Sequence, residues 1–225
     1  MSEARDQILA NIRRSLGVQA SDTTRRQTVA ARIATAPSGI EPARGQGSLE
    51  DRITVFTKQA ESVSASVIRI ASVTEAPEAI ARYLRGYNLP SVIRMGDDSR
   101  LRSLNWQSAN IETSVGRSTG NDLNAVSFAL GGVAETGTLV LVSGPQNPTT
   151  LNFLPDNHIV IVAADGILPS YEAVFAQIRA QYGKGTMPRT VNLITGPSRS
   201  ADIEQKLLLG AHGPRRLHVI IAQDG

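Results

Sequence analysis

The sequence predicts an α/β fold: a mostly parallel open sheet with helices on both faces, preceded by an N-terminal helix and a flexible linker. Three observations carry this. From Leu49 onward, short apolar runs alternate with stretches of helical periodicity, the pattern of successive βαβ units. The runs VIRIA, TLVLV, IVIVA and LHVIIA are nearly continuous in aliphatic residues, as strands buried on both faces require. Apolar residues make up 41% of the 225-residue chain but aromatics only 4%, so the core must be built from Val, Ile, Leu and Ala.

The elements follow in order. Residues 6–16 read as an amphipathic helix in which Ile8, Leu9, Ile12 and Leu16 recur at helical spacing, with Arg5, Arg13 and Arg14 elsewhere around the turn. Gly17 is placed to stop it. Such a helix either packs on its own domain or docks on a partner protein. Residues 18–48 then become rich in Gln, Thr, Ser, Pro, Gly and Arg and lose apolar periodicity. This reads as a flexible linker, with enough Ala and Val around Val29 for a short helix. Residues 1–48 are thus set apart from an α/β domain over 49–225.

Within that domain a helix over Leu49–Ser62 leads to a strand at 67–71. Thr74 is placed to cap a helix with Pro77 in its first turn that ends near Gly86. A strand at 91–94, a helical turn at 98–104 and strands at 110–113, 126–129, Thr138–Val142 and 159–163 come next. A helix over 169–182 opens at Pro169. A strand at 190–195, a helix over 201–209 stopped by Gly210, and a strand at 217–222 close the chain. Open sheets of this kind bind ligands at the carboxyl ends of their strands, so site residues are expected in the loops that follow strands.

Composition narrows the function. Lys plus Arg number 23 and Asp plus Glu 20, a net of +3, with no run of like charge that would form a basic arm. Nucleic acid is not the expected partner. With no Cys, disulfides and any Fe–S cluster held by this chain's own thiolates are excluded. Three His, at 158, 212 and 218, do not make a structural zinc site. No segment has the roughly 20 apolar residues of a membrane span and none resembles a signal peptide; a cytoplasmic location is expected.

Two loops stand out. GGVAETGT, residues 131–138, places Glu135 among small residues that let a backbone approach a ligand closely. Thr136, Gly137 and Thr138 complete the turn. An ordinary strand-to-strand connection would ask no more of Glu135 than contact with water or backbone amides; a ligand-binding loop would use its carboxylate. TGPSRSADIE, residues 195–204, ends a strand and opens the expected helix. Ser198 or Ser200 can cap that helix, and its N-terminus with Arg199 would attract a small carboxylate or phosphate. Simple capping beside an exposed Arg would look the same. It is not a Walker loop, since the Lys is missing. His158, after LPDN, and His212, in GAHGPRR, both read as loop residues, where functional groups concentrate. His218 alternates with apolar residues and reads as structural.

Taken together, AETGTLVL, LPDNHIVIV and TGPSRSADIEQKLLLGAHGPRRLHVII, with the opening helix DQILANIRRSLG, resemble in that order the motifs of the lactate utilization protein C family, whose shared unit is often called the LUD domain. Ser200 stands where the family commonly has Thr. The resemblance implies a fold like that of ribose-5-phosphate isomerase and CoA transferases. It further implies a role in bacterial growth on L-lactate through its oxidation to pyruvate. Companion proteins would carry the Fe–S clusters, and this chain would hold no cofactor of its own. CoA transferases of similar fold use a Glu nucleophile, and Glu135 is its candidate counterpart. Two functions are therefore expected: an accessory or substrate-handling subunit acting with Fe–S proteins, or a free-standing enzyme acting on an anionic small molecule or acyl-CoA with Glu135 as nucleophile or base.

Overall fold

The computed structural model describes residues 2–19, 21–200, 208–210 and 212–224. The chain divides into two units, Met1–Ile40 and Glu41–Gly225.

The first unit holds α1 (Ser2–Ser15) and α2 (Thr23–Thr35). Glu3 in the first turn of α1 and Arg13 and Arg14 in its last turn match the helix dipole. The stretch read as a linker thus contains a full helix. Asp22 caps it, its carboxylate accepting from the Arg25 N–H at 2.9 Å. Ala36 closes it in the left-handed region at φ 43°. No residue of α2 is buried, so it needs no apolar stripe, and periodicity could not reveal it. Ile8, Ile12, Leu16, Val29 and Ile33 are all exposed.

The second unit starts with α3 (Leu49–Ser62), opened by a capping box: Ser48 Oγ accepts from the Asp51 N–H at 3.2 Å and the Asp51 carboxylate accepts from the Ser48 N–H at 3.0 Å. Then come β1 (Ser66–Ser72), α4 (Ala76–Gly86), β2 (Val92–Met95), α5 (Ser99–Arg102), β3 (Glu112–Val115) and β4 (Asn124–Phe128). They are followed by β5 (Gly131–Val133), β6 (Thr138–Val142), β7 (Asn157–Ala163), β8 (Ile167–Leu168) and α6 (Tyr171–Tyr182). The chain ends with β9 (Val191–Ile194), β10 (Arg199–Ser200), β11 (Leu208–Leu209) and β12 (Arg216–Asp224). Thr74 does not cap α4. Ser72 Oγ accepts from the Thr74 N–H at 3.3 Å and opens a 3-10 turn, and α4 begins with Pro77 in its first positions and no side-chain cap.

Six strands form a sheet in the order β1-β12-β7-β4-β2-β3, and every neighbouring pair is parallel. Side chains alternate across it. On one face Ile159, Ile161 and Ile220 pack with Ile80 and Leu84 of α4. On the other, Val160, Val162, Val219 and Ile221 pack with Ile53 and Phe56 of α3. Helices therefore cover both faces, as the sequence predicts.

A second sheet, β8-β5-β6-β9, was not foreseen. Its β5–β6 and β6–β9 pairs are antiparallel. Leu139 and Leu141 join the core under α3, while Val133 and Val140 on the opposite face receive Val174 and Ile178 of α6. The sequence hides β5 because two of its three residues are glycines. A Cβ on Gly132 would lie 2.8 Å from the Phe56 ring, and one on Gly131 would lie 2.6 Å from the Gly166 carbonyl oxygen. The strand is glycine-rich because its neighbours leave no room for side chains.

The helix expected over 201–209 falls largely outside the described residues, which omit 201–207. Leu208 and Leu209 are strand instead, paired antiparallel with Ser200 and Arg199. Among the described residues no helix is long and apolar enough to cross a membrane.

Candidate functional site

The turn between β5 and β6 is closed by the Gly137 N–H donating to the Val133 carbonyl at 3.0 Å, with Gly137 in the left-handed region at φ 65°. Glu135 at its apex is buried rather than turned to water. Its N–H donates to the Pro169 carbonyl at 3.4 Å, and its Oε2 has no hydrogen-bond partner. Gly45 lies against it: a Cβ there would be 3.0 Å from Glu135 Cβ and 2.0 Å from the Pro169 oxygen. The next hydroxyls form a cluster. Thr138 Oγ1 lies 2.7 Å from Thr136 Oγ1, 2.9 Å from the Tyr171 hydroxyl and 2.6 Å from Thr195 Oγ1. Thr138 begins β6 and Thr195 follows its antiparallel partner β9, so the register brings the two predicted loops to the same end of the second sheet.

Four of the predicted residues, His158, Ser198, Arg199 and His212, line one cleft of about 290 Å³ together with Asn152, Phe153, Leu193, Ile194, Thr195, Gly196, Pro197, Gly213, Pro214 and Leu217. Glu135, Thr136, Gly137 and Thr138 lie outside this lining and connect to it through the Thr138–Thr195 contact. Ser200 is buried in β10 and does not line the cleft; the helix N-terminus expected to follow it lies outside the described residues. The cleft also sits elsewhere than expected. His158 and Leu217 are the second residues of β7 and β12, so it opens at the amino ends of the parallel strands. The reason is topological: the segment carrying Ser198 and, at the start of β10, Arg199 follows β9, a strand of the antiparallel-paired second sheet, and lies against the loop before β12. The Ser198 N–H donates to the Pro214 carbonyl at 2.8 Å and pins the two loops together.

His158 belongs to β7, not to a loop. It is 1% exposed, and its Nε2 lies 3.1 Å from Ser127 Oγ on the neighbouring strand. Nδ1 is buried with no partner. Burial pulls the imidazole pKa down to about 3, so at neutral pH the ring carries one N–H and one lone pair. Asn152, which ends a 3-10 turn over Thr149–Asn152, is the residue that sequence reasoning missed. It is also 1% exposed, and both its Oδ1 and Nδ2 lack partners. Its one sequence signal is a polar residue between Leu151 and Phe153. Buried polar atoms are paired, with protein or ordered water, in the great majority of cases, so these two side chains leave hydrogen-bonding capacity open on one cleft wall.

The rim differs from the floor. Arg199 is exposed and donates to Ser64 Oγ at 2.8 Å. His212 is exposed beside it in the lining. The cleft thus has a cationic rim, a neutral polar floor and apolar walls from Phe153, Leu193, Ile194 and Leu217. His218 has a structural place: it stacks on Tyr83 with ring centroids 4.1 Å apart, and its Nδ1 lies 2.8 Å from Ser66 Oγ. Among the described residues no group of three or more His, Asp or Glu is placed to hold a metal ion.

This arrangement can be set beside known proteins. The family model of the LUD domain matches residues 53–222. The chain is 35% identical over 136 residues to lactate utilization protein C of Geobacillus sp. (strain WCH70), covering 56% of each chain. It is 28% identical over 189 residues to the protein of the same name from Halalkalibacterium halodurans, covering 79% of this chain and 81% of that one. With Geobacillus thermodenitrificans lactate utilization protein C the identity is 42% over 93 residues, 39% of that protein. In several of these pairs the matched stretch spans only about half of the relative or less. Among solved structures, a DUF162 family protein from Deinococcus radiodurans superposes with a TM-score of 0.56 at 23% identity, covering 80% of this chain and all of that one. That likeness is one of fold. The family match runs from α3 to β12, across both sheets and the whole lining of the cleft, and this chain belongs to the LUD domain family.

Proposed function

We propose that this chain is a substrate-handling subunit of a bacterial L-lactate utilization system, acting with Fe–S proteins that carry the electrons released when lactate becomes pyruvate. The observation that carries this reading is the cleft. The segments that resemble lactate utilization protein C, far apart in sequence, place His158, Ser198, Arg199 and His212 around one small cavity. Relatives of that name support the pathway. With no Cys of its own, the chain leaves the clusters to partners. A planar, permanently charged guanidinium suits a carboxylate or phosphate, and Arg199 supplies it. Arg199→Ala should cost about 1.5–3 kcal/mol of ligand affinity, the scale of a charge-assisted hydrogen bond. It should also fail to restore growth on L-lactate to a strain lacking this protein. Normal growth with a folded Arg199→Ala chain overturns the reading.

The unit of α1 and α2 is the proposed docking element for those partners, on the strength of its exposed Ile8, Ile12, Leu16, Val29 and Ile33. A chain starting at Glu41 keeps Gly45 and Ser48, which pack on and cap the α/β unit. It should melt as the full chain does, yet no longer co-purify with Fe–S proteins from lactate-grown cells. Unchanged co-purification removes α1 and α2 from the interface.

A second reading is favoured by one observation, the buried and unpartnered Oε2 of Glu135. It makes the chain a free-standing enzyme acting on an anionic small molecule or acyl-CoA, with Glu135 as base or nucleophile. An acyl adduct on Glu135, detected by mass spectrometry after incubation with an acyl-CoA, would select it over the first.

A further inference from the structure

We infer that the groove between α1 and α2 takes an acidic amphipathic helix of a partner protein, whose apolar stripe enters the groove and whose carboxylates meet Arg13, Arg25 and Arg26. The inference rests on the docking role proposed above for this unit and names the element that docks.

The unit has two helices and no core. Ile12, Leu16, Val29 and Ile33 are all exposed, and no residue of α2 is buried. Helices of 14 and 13 residues are marginal in water on propensity alone and depend on packing an apolar face. α1 and α2 do not give that packing to each other. A groove of about 680 Å³ lies between them, lined on its apolar part by Leu9, Ile12, Val29 and Ile33. A third helix laid into it would complete a small helical core, in the way amphipathic helices dock into grooves.

Charge identifies the occupant. Six of the 23 basic residues but three of the 20 acidic ones lie within residues 1–40, so the other 17 basic residues are balanced by 17 acidic ones. The net charge of +3 therefore resides in this unit. Three of its arginines, Arg13, Arg25 and Arg26, line the groove itself. Arg13 is in the last turn of α1, and Arg25 and Arg26 are among the first four residues of α2, where the helix dipole disfavours a cation. None of the three is in an ion pair among the described residues. Asp22, the acid in the lining, is engaged in capping α2. Carboxylates on a docked helix would answer all three guanidiniums.

The same features tell against two other occupants. A second copy of the unit would set arginines against arginines. A bilayer surface is entered by helices with one flat apolar face and aromatic residues at the headgroup level. Here the aliphatic side chains line a groove, and residues 1–40 contain no Trp, Tyr or Phe.

The test uses the full chain and three synthetic peptides of about four helical turns. They share one stripe of Leu and Ile and carry Glu, Gln or Lys at the remaining positions. By fluorescence anisotropy the Glu peptide should bind about tenfold or more tighter than the Lys peptide, the worth of two or three exposed ion pairs. The difference should shrink as salt is added. Arg25→Glu combined with Arg26→Glu should reverse the order of the two peptides, a gain of binding that a misfolded unit cannot give. Ile12→Asp should weaken all three peptides. Equal binding of the Glu and Lys peptides, or an order that the double variant leaves unchanged, overturns the inference. Co-sedimentation with phosphatidylglycerol vesicles that the double variant loses would give the groove to a membrane instead. A dimer in analytical ultracentrifugation that Ile12→Asp dissociates would give it to a second copy. Failure of the docking role is seen separately: if the chain starting at Glu41 co-purifies unchanged, both that role and this inference fall. If its co-purification is lost while the peptides show no charge preference, the role stands and this inference alone falls.

Discussion

Gly137→Ala should destabilise the α/β unit by about 3 kcal/mol, roughly 1 from backbone strain and 2 from overpacking. Gly137 sits at φ 65°, a conformation that costs any residue with a Cβ. The added methyl would lie 2.4 Å from the Ala60 nitrogen and 2.8 Å from the Gln59 carbonyl carbon. Those are backbone atoms of α3, so no side chain can swing aside, and the turn must move off the helix. Gly185 provides the control: it has φ 76°, and a methyl added there would meet nothing within 4 Å, so Gly185→Ala should show only the backbone cost of about 1 kcal/mol. Urea unfolding of both variants, with m unchanged, measures the difference. If the two variants cost the same, the turn does not rest on α3. The functional consequence follows from Thr138, one residue on. Its contact with Thr195 couples the Glu135 turn to the cleft, so a displaced turn should weaken ligand binding even where the protein remains folded.

The parts of this architecture that could be read from sequence are those whose physics is periodic. β6, β7 and β12 show as aliphatic runs because both their faces are buried, β1, an edge strand with only Ile70 buried, shows through its Val and Ile, and α3 emerges with the bounds predicted, from its stripe of Ile53, Phe56 and Ala60. Elements stabilised without periodicity were read only faintly or not at all: the Ala and Val around Val29 suggested a short helix where the longer α2 lies. α2 buries nothing, and β5 lacks side chains where Phe56 and Gly166 crowd it. β7 begins two residues before its apolar run because Asn157 is satisfied inside the sheet: its Nδ2 donates to the Leu123 carbonyl at 3.1 Å and to Asn124 Oδ1 at 3.0 Å. That polar start made His158 look like a loop residue. The site divides in the same way. Ser198, Arg199 and His212 were visible because Gly and Pro lie close to them in sequence, and their segments converge, although Arg199 belongs to β10 and not to the expected loop. Asn152 was invisible, since what distinguishes it is the absence of a hydrogen-bond partner in the folded protein. The position of the cleft, at the amino ends of the parallel strands, depends on a second sheet that the sequence did not announce.

Lowering the pH from 7 to 5 should cost the α/β unit roughly 4 kcal/mol of stability, about 2 from each of two buried imidazoles. Burial pulls the His158 pKa from 6.5 down to about 3 and that of His218 from 6.5 down to about 4. In the unfolded chain both return to the ordinary value. Below pH 6.5 the unfolded state therefore binds more protons than the folded state, and stability falls with pH. The contribution is fully present above pH 6.5. Its loss continues until the folded rings themselves take up protons, near pH 4 for His218 and near pH 3 for His158. Glu50, lowered by its hydrogen bond to Arg69, and Asp51, lowered by its hydrogen bonds to Ser48, titrate below the ordinary carboxylate range, outside the pH 5–7 interval. Urea unfolding at pH 7, 6 and 5 should thus approach an uptake of two protons per molecule, with His158→Gln and His218→Gln each removing about one. If His158→Gln leaves the pH dependence as it was, the ring is not held neutral in the folded protein, and a cationic His158 would then favour an anion at the cleft floor.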